Sequence, residues 1–272
     1  MQRKTVSGPV AVSGLGVVSG QEVRVCIEPA GAHTGITFAP EGTKEAIPAV
    51  PERLLSVPNC TAIGRGGRQV ALIEHLMAAF AALGVTDARV VVAGAEIPLL
   101  DGSAQPFLEA LHSVGTRSLG EALEPLVVTE PVLVSGPGDA MLACGPGEAA
   151  YTYCLQHPHP RIGCEIATFR PAEDSFAQLL APARTFSTEQ EARALLASGA
   201  FRGGSEANSV IVFDDHLSAP QPVPCGFARH KLVDLIGDLW LLGRPVVGRI
   251  VAFKTGHAHN HELVRQLAAR GD

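Results

Sequence analysis

Apolar residues alternate with small or polar ones from Val10 to Ile27, around a glycine-rich centre. A period of two over this length predicts a β-hairpin. The spacing of Gly14, Gly16 and Gly20 imitates a dinucleotide-binding loop, but such a loop must lead into a helix whose N-terminus receives the pyrophosphate. Because a second alternating stretch follows instead, we predict a hairpin and no dinucleotide site.

The next pattern in the first half has helical spacing. Residues 69–84 place apolar groups on one face, contain no proline, and end on Gly84, a residue suited to the position after a helix. A buried strand is predicted over 88–94, followed by a turn and a second helix from about Ser103. Strands and helices with one apolar face each predict an α/β or α+β layer.

A polar stretch at residues 115–126 lacks periodicity and is the best candidate for a domain boundary. We therefore predict an N-terminal domain over 1–120 and a C-terminal domain over 121–272. The second half repeats the first in outline, because a histidine-bearing helix again ends in Leu-Gly and runs into a β-branched strand. Its predicted elements are strands at 141–145 and 149–155, a helix at 188–199, the longest helix at 227–243 and a strand at 246–253.

The composition narrows the class of protein. The 272 residues are 46% hydrophobic, which predicts a folded globular protein, and the net charge of −6 is the wrong sign for neutralising nucleic-acid phosphates. The six cysteines are at least ten residues apart, so no redox or zinc-knuckle pair is predicted. No apolar stretch approaches the length of a membrane span, and we expect a cytoplasmic protein with reduced cysteines.

Two predicted helices carry residues with the chemistry of a metal site. His230 and Asp234 are four residues apart and project from one helix face, as metal ligands do, although a local hydrogen bond would need the same spacing. Glu74 and His75 are adjacent on the other helix, so that one could bind a metal while the other faces the bound water. Alternatively, both residues could be structural. Together, two histidines and one carboxylate form a three-ligand set with a fourth position open, which is typical of catalytic zinc.

The end of the chain has histidines at every second position. On an extended segment, His257, His259 and His261 would share one side and could form a separate cluster. Asn260 instead resembles the N-cap of a final helix, which would scatter the three rings. We expect the loop before that helix to deliver one histidine as an acid or a base. A further set, His157, His159 and Cys164, lies among prolines and is a weak ligand candidate.

At this point the chain resembles a known family. Six segments occur in the order found in the UDP-3-O-acyl-N-acetylglucosamine deacetylases, which catalyse the committed step of lipid A synthesis: IEHLMAAFAALG, EIPLLDGSAQPF, PARTF, FRGGSEANSVIVFDD, RHKLVDLIGDLWLLG and FKTGHAHNHELV. The resemblance implies a two-domain α+β sandwich, each domain a β-sheet with a pair of helices, and the helices packed between the two sheets. It also implies a zinc-dependent amidohydrolase that acts on an acylated UDP-amino sugar, with Fe²⁺ as an alternative metal in the cell.

The resemblance also implies a role for individual residues. The zinc ligands would be His75, His230 and Asp234, and Glu74 beside the first ligand would be the general base. The remaining site residues would be His257 as general acid, Asp238 orienting it, Thr185 at the oxyanion, Lys231 at a substrate phosphate or hydroxyl, and Phe186 as a pocket wall.

The segment at about 187–212 would line a tunnel for the acyl chain, with an apolar cluster made by Leu195, Leu196, Phe201 and Ile211. Without the resemblance, an ordinary helix and edge strand would explain it equally well. Where the family usually has a histidine in the N-terminal hairpin, this chain has Val18, which implies a missing polar group in the site.

Three other functions are compatible with parts of this pattern. An Fe(II) oxygenase can use two histidines and a carboxylate, but its sites leave more open positions and typically lie in a jelly roll rather than on helices. A structural or binding module would not need Glu74 and His257 beside an open site. A family member that binds the UDP-sugar without full activity is the third. We expect a monomer with a small-molecule substrate and no nucleic-acid partner.

Overall fold

The computed structural model describes residues 1–43, 45–136 and 139–271. The first half contains β1 (Gln2–Val6), β2 (Val10–Leu15), β3 (Glu22–Pro29), β4 (Ile36–Pro40), β5 (Ile47–Pro48), β6 (Ala62–Arg65), β7 (Arg68–Ala71), α1 (Glu74–Leu83), β8 (Ala88–Ala93), α2 (Gln105–Val114) and β9 (Thr116–Ala122). The second half contains β10 (Leu126–Val127), β11 (Val132–Ser135), β12 (Met141–Gly145), β13 (Ala150–Gln156), β14 (Cys164–Phe169), α3 (Phe176–Leu179), β15 (Phe186–Thr188), α4 (Glu189–Ala197), β16 (Val210–Val212), α5 (Gly226–Leu239), β17 (Val246–Val247), β18 (Arg249–Phe253) and α6 (His257–Arg270).

Each half is built on a five-stranded sheet, and the two sheets have the same topology. The strand order is β2-β3-β8-β4-β5 in the first and β11-β12-β18-β13-β14 in the second. The central strand of each sheet, β8 or β18, follows a helix, and it runs antiparallel to one neighbour and parallel to the other. The repetition that the sequence outlines is therefore present in the topology.

The helices lie between the two sheets. Helix α2 packs on β2 of the first sheet, α5 packs on β13 and β14 of the second, and α6 packs on β11 and β12. Helix α1 packs against both α2 and α5, which joins the halves through one contiguous apolar core. These contacts confirm the predicted α+β sandwich. No helix within the described residues has the length and apolar character needed to cross a membrane.

The contact between α1 and α5 is close because of one glycine. A Cβ atom on Gly237 would collide with the backbone carbonyl of Glu74. Since glycine has no Cβ, the two helices approach almost to backbone contact at that point. The crossing places the first turn of α1 directly beside the C-terminal part of α5.

Helix α1 is shorter than the pattern predicts. Residues 68–71 form β7, which pairs with β6 in a hairpin, and the helix begins only at Glu74. Leu72 has φ of 60°, a left-handed conformation that interrupts a regular backbone between strand and helix. The predicted end is correct, because Gly84 takes a left-handed conformation directly after Leu83.

The domain boundary stays a prediction, and one further expectation, on the start of the last helix, was wrong. The stretch at 115–126 contains β9, whose residues Thr116–Ala122 pair with β1, so its polar composition reflects an exposed strand rather than a linker. The division at residue 120 falls inside β9 and stays a prediction. Helix α6 begins at His257 rather than after Asn260, and therefore no loop delivers His257.

Candidate metal centre and active site

The three predicted metal ligands converge from both halves of the molecule. His75 extends from the first turn of α1, whereas His230 and Asp234 lie one turn apart on α5. The Nε2 atoms of His75 and His230 are 3.0 Å apart, and Asp234 Oδ1 is 3.5 Å from His75 Nε2. All three side chains are buried. Four-coordinate zinc with ligand bonds of about 2.0–2.1 Å places neighbouring ligand atoms roughly 3.3 Å apart, so the observed spacing fits such an ion.

The protonation of these ligands also fits a cation. Burial lowers the pKa of His230 to about 3, although Asp234 acts in the opposite direction. Neutral imidazole is the form that binds metals, and the Nε2 atom of His230 faces that of His75. Burial alone would raise the pKa of Asp234, but His230 and Lys231 beside it hold that pKa well below its usual range. The centre therefore offers two imidazole nitrogens and one carboxylate.

Glu74 lies next to the ligand set in a position suited to a base. Its side chain is buried, and Oε2 accepts a hydrogen bond of 3.1 Å from the backbone N–H of Thr61. Burial raises the pKa of Glu74, while His257 and His75 oppose that rise. A raised pKa makes a carboxylate a stronger base.

His257 faces Glu74 across the site. Its Nε2 atom is 3.9 Å from Glu74 Oε1 and 3.9 Å from Asp234 Oδ2, and its Nδ1 atom donates a 2.8 Å hydrogen bond to Asp238 Oδ2. Burial would lower the pKa of His257, but Asp238 more than offsets this and raises it to about 9. The ring is thus a cation at neutral pH, and its Nε2–H points into the site.

Asp238 is held by several donors besides His257. Its Oδ2 atom accepts a 2.9 Å hydrogen bond from the Asn260 side chain, and its Oδ1 atom accepts one from the Thr61 hydroxyl. Burial favours the neutral acid, but the neighbouring histidines His257 and His261 hold the pKa of Asp238 below its usual range.

The predicted substrate-side residues line the same cavity, which has a volume of about 900 Å³. Lys231 Nζ is 2.6 Å from Asp234 Oδ2, and this ion pair raises the pKa of the ammonium despite its burial. Thr185 is fixed by a 2.7 Å hydrogen bond from its N–H to the carbonyl of Gly102. The ring of Phe186 packs edge-on against Phe227 with centroids 4.7 Å apart.

Part of the cavity lining consists of apolar side chains, and we call this part the apolar arm. Its lining includes the four predicted tunnel residues, Leu195, Leu196, Phe201 and Ile211. They belong to the unit formed by β15, α4 and β16, in which the two short strands pair in parallel. Helix α4 has no fully buried residue, so it covers the cavity rather than filling the core.

Some candidate residues lie elsewhere. Val18 is 37% exposed and outside the cavity lining, whereas its neighbour Val17 is 2% exposed and lines the cavity. The expectation that residue 18 faces the site is therefore wrong, because the bonds from the N–H groups of Val18 and Ser19 to Glu96 fix the loop in the other orientation.

The remaining histidine candidates do not join the metal ligands. His159 is 3.7 Å from the exposed Asp214. His259 lines the cavity beside Gly256, and His261 is buried against Thr61 instead. Sequence reasoning missed Thr61 and the contact of Asn260 with Asp238, because neither residue belongs to a pattern that indicates chemistry.

A buried three-ligand set with an adjacent carboxylate and a cationic histidine defines a centre of the kind that metal-dependent hydrolases use. The profile of the UDP-3-O-acyl N-acetylglycosamine deacetylase family matches residues 3–269. The chain is 39% identical over 279 residues to the UDP-3-O-acyl-N-acetylglucosamine deacetylase of Phenylobacterium zucineum, with 100% of this chain and 95% of the relative covered. It is 37% identical over 270 residues to the deacetylase of Anaeromyxobacter dehalogenans, with 98% and 87% covered. The chain belongs to this family of deacetylases.

Proposed function

We propose that this protein is a zinc-dependent deacetylase that hydrolyses the N-acetyl group of UDP-3-O-acyl-N-acetylglucosamine. The products are acetate and UDP-3-O-acyl-glucosamine, and the reaction is the committed step of lipid A synthesis in the cytoplasm. One observation carries the proposal: three side chains that could hold a metal ion, a buried carboxylate and a histidine line one cavity together with a group of apolar side chains. That combination suits a substrate with a hydrolysable amide and a fatty acyl chain.

His75, His230 and Asp234 would hold the zinc ion. When bound, zinc supplies Lewis acidity, which lowers the pKa of a water molecule and polarises the amide carbonyl. Ferrous iron would fit the same donor set.

The protein's own groups move the protons. Glu74 would take a proton from the attacking water, and its position next to His75 in the first turn of α1 supports this role. His257 enters as a cation, and its Nε2–H stabilises the negative charge that develops at the acetamide. It then gives that proton to the amine nitrogen as the C–N bond breaks. Asp238 keeps Nδ1 protonated throughout, which leaves Nε2 as the nitrogen that exchanges the proton.

Other residues bind and orient the substrate. The Thr185 hydroxyl would donate to the developing oxyanion, Phe186 would form a wall beside the sugar, and Lys231 would meet a phosphate or a hydroxyl group. The apolar side chains of the unit formed by β15, α4 and β16 would enclose the acyl chain, where each buried methylene stabilises the complex by up to about 0.8 kcal/mol. We also propose that the protein acts as a monomer and has no nucleic-acid partner.

The proposal is tested by incubating the zinc-loaded protein with the acylated, acetylated UDP-sugar and measuring free amine. We expect stoichiometric release of amine and acetate. A protein that binds this substrate with micromolar affinity but releases no amine would instead be a binding homologue. Cys60→Ala is the matched control, because Cys60 is a buried potential ligand that lies outside the three-ligand set.

A further inference from the structure

Thr61 occupies a junction between the two halves of the molecule. It lies directly before β6, is 1% exposed, and contacts the first turn of α1, the last turn of α5 and the first two turns of α6. Those three helices carry the proposed base, the carboxylate that orients the acid, and the acid itself. No sequence pattern singles the residue out.

The backbone of Thr61 positions the base. Its N–H donates to Glu74 Oε2 at 3.1 Å, and its carbonyl accepts a hydrogen bond of 3.2 Å from the N–H of Ile73, the residue that precedes α1. The Glu74 carboxylate has no other hydrogen bond of ordinary length among the described residues, since His257 Nε2 is 3.9 Å away. Its orientation therefore depends on Thr61.

The side chain of Thr61 positions the acid. A hydroxyl group has one hydrogen, and Asp238 as a carboxylate can only accept, so the hydroxyl donates to Asp238 Oδ1. The same oxygen then accepts from His261 Nε2–H at 2.8 Å and lies 3.1 Å from His257 Nδ1. Asp238 is thus fixed through both oxygens, by Thr61 on one and by His257 and Asn260 on the other.

We propose that Thr61 is a positioning residue for the deacetylation. It holds the carboxylate of Glu74 and that of Asp238, which orients His257, and it thereby sets the geometry between Glu74 and His257. The inference rests on the proposed function. Without the hydroxyl, Asp238 Oδ1 faces an apolar group and the carboxylate turns, and His257 Nε2 moves away from the leaving nitrogen. Displacements of this kind lower turnover more than they weaken binding, because the interaction matters most in the transition state.

Thr61→Val keeps the shape and the backbone bond to Glu74 but removes the hydroxyl. We expect kcat to fall about 10- to 100-fold, the range for loss of one hydrogen bond to a charged group, with KM and bound zinc unchanged. Thr61→Ser restores the hydroxyl and should restore kcat. If Thr61→Val does not fold, Thr61→Ala, which leaves room for a water molecule beside Asp238, should show the same split between kcat and KM.

Thr86→Val is the matched control. Thr86 is also 1% exposed and donates a 2.6 Å hydrogen bond to a buried carboxylate, Asp87, far from the site. Thr86→Val should lower the melting temperature without changing kcat. The control therefore separates the effect of losing a buried hydrogen bond from the effect of losing the position of the site residues. Wild-type kcat in Thr61→Val, or a Thr61→Ser variant as slow as Thr61→Val, would overturn the proposal.

A measurement that does not depend on activity separates this inference from the proposed function. In the zinc-free protein, the NMR resonance of the His257 Nδ1 proton reports its bond to Asp238. We expect that resonance in wild type and in Thr61→Ser, and its loss by exchange in Thr61→Val. An unchanged resonance in Thr61→Val would overturn the positioning role, whether or not wild type releases amine. Failure of wild type to release amine would overturn only the proposed function.

Discussion

The two halves of this protein share a topology but not a chemistry. Helices α1 and α5 precede equivalent central strands, yet α1 carries two site residues in its first turn while α5 carries four along its length: His230, Lys231, Asp234 and Asp238. The helices that follow the central strands differ in the same way. Helix α6 contributes His257 and His261, whereas α2 contributes no residue to the centre. The two halves therefore share one topology, but the helices of the second half carry most of the residues of the proposed site.

The difference shows how buried charge is tolerated in this fold. Within α5, Lys231 pairs with Asp234, and Asp238 pairs with His257 of α6. A buried charge without a partner costs several kcal/mol, so such groups need to be clustered. Helix α1 adds Glu74 and His75 only where Gly237 lets it touch that cluster. Neither half alone contains all three of the proposed metal ligands.

The largest effect should come from breaking the ligand set, whichever half supplies the ligand. His75→Ala removes the ligand of the first half and His230→Ala one from the second, and each should abolish tight zinc binding and lower kcat/KM by about three orders of magnitude or more. Metal analysis and amine release measure the two effects. Cys60→Ala should change neither. Full activity of a zinc-free and iron-free protein would contradict the proposed mechanism.

Glu74→Gln separates the base from the ligand beside it. We expect kcat to fall on the order of 100-fold or more with zinc still bound, because the amide cannot accept the proton of the attacking water. The two measurements are single-turnover amine release and zinc content. If turnover stayed near normal, the base would have to be sought in the second half.

The pH dependence should report one group from each half. The pKa of Glu74 is raised by burial, and activity should rise with pH as this carboxylate loses its proton. The pKa of His257 is raised to about 9 by Asp238, and activity should fall as pH increases through that value because the acid loses its proton. The kcat/KM profile should therefore be bell-shaped, with limbs that belong to the coupled groups and the zinc-bound water. His257→Gln should remove the alkaline limb, and an unchanged limb in that variant would contradict the assignment.

The halves also differ in the segment that precedes α1 in the first half and α5 in the second. In the first half it includes the β6-β7 hairpin, and in the second it includes β15, α4 and β16, which line the apolar arm. Shortening the acyl chain by two methylenes should lower kcat/KM by up to about 15-fold, from roughly 0.8 kcal/mol each. Phe201→Ala should reduce that dependence. A substrate without an acyl chain that reacts equally well would show that the arm does not bind it.

The smallest effect is expected at Val18. The resemblance implies that a histidine there would add a polar group to the site and raise kcat/KM, but the side chain is 37% exposed and turned away from the cavity. Val18→His should therefore change kcat/KM by no more than about 2-fold, as for a typical surface substitution. Val17→Ala, at the neighbouring cavity position, should have the larger effect. An increase of tenfold in Val18→His would mean that the loop held by Glu96 rearranges when substrate binds.

Local spacing determined much of this protein. The i,i+4 spacing of His230 and Asp234 needs only a helix to place both on one face, and the uninterrupted apolar pattern around them made that helix predictable. The glycines after Leu83 and Leu242 mark helix ends for an equally local reason, since a left-handed residue costs glycine little. The expectation of an α/β or α+β layer followed from the same periodicities.

Only the tertiary structure decided what no local pattern contains. Residues 69–71 have an apolar pattern compatible with a helix, but they pair with β6 as a strand. Residues 116–122 lack a periodic pattern, and they form a strand because they pair with β1. The role of Thr61 depends on three helices that are distant in sequence, and the orientation of Val18 depends on Glu96, 78 residues away. Hydrogen bonds and buried charge pairs between distant segments are satisfied only after the halves have packed together. The sequence therefore predicted which groups would form the site but not how they are held in position.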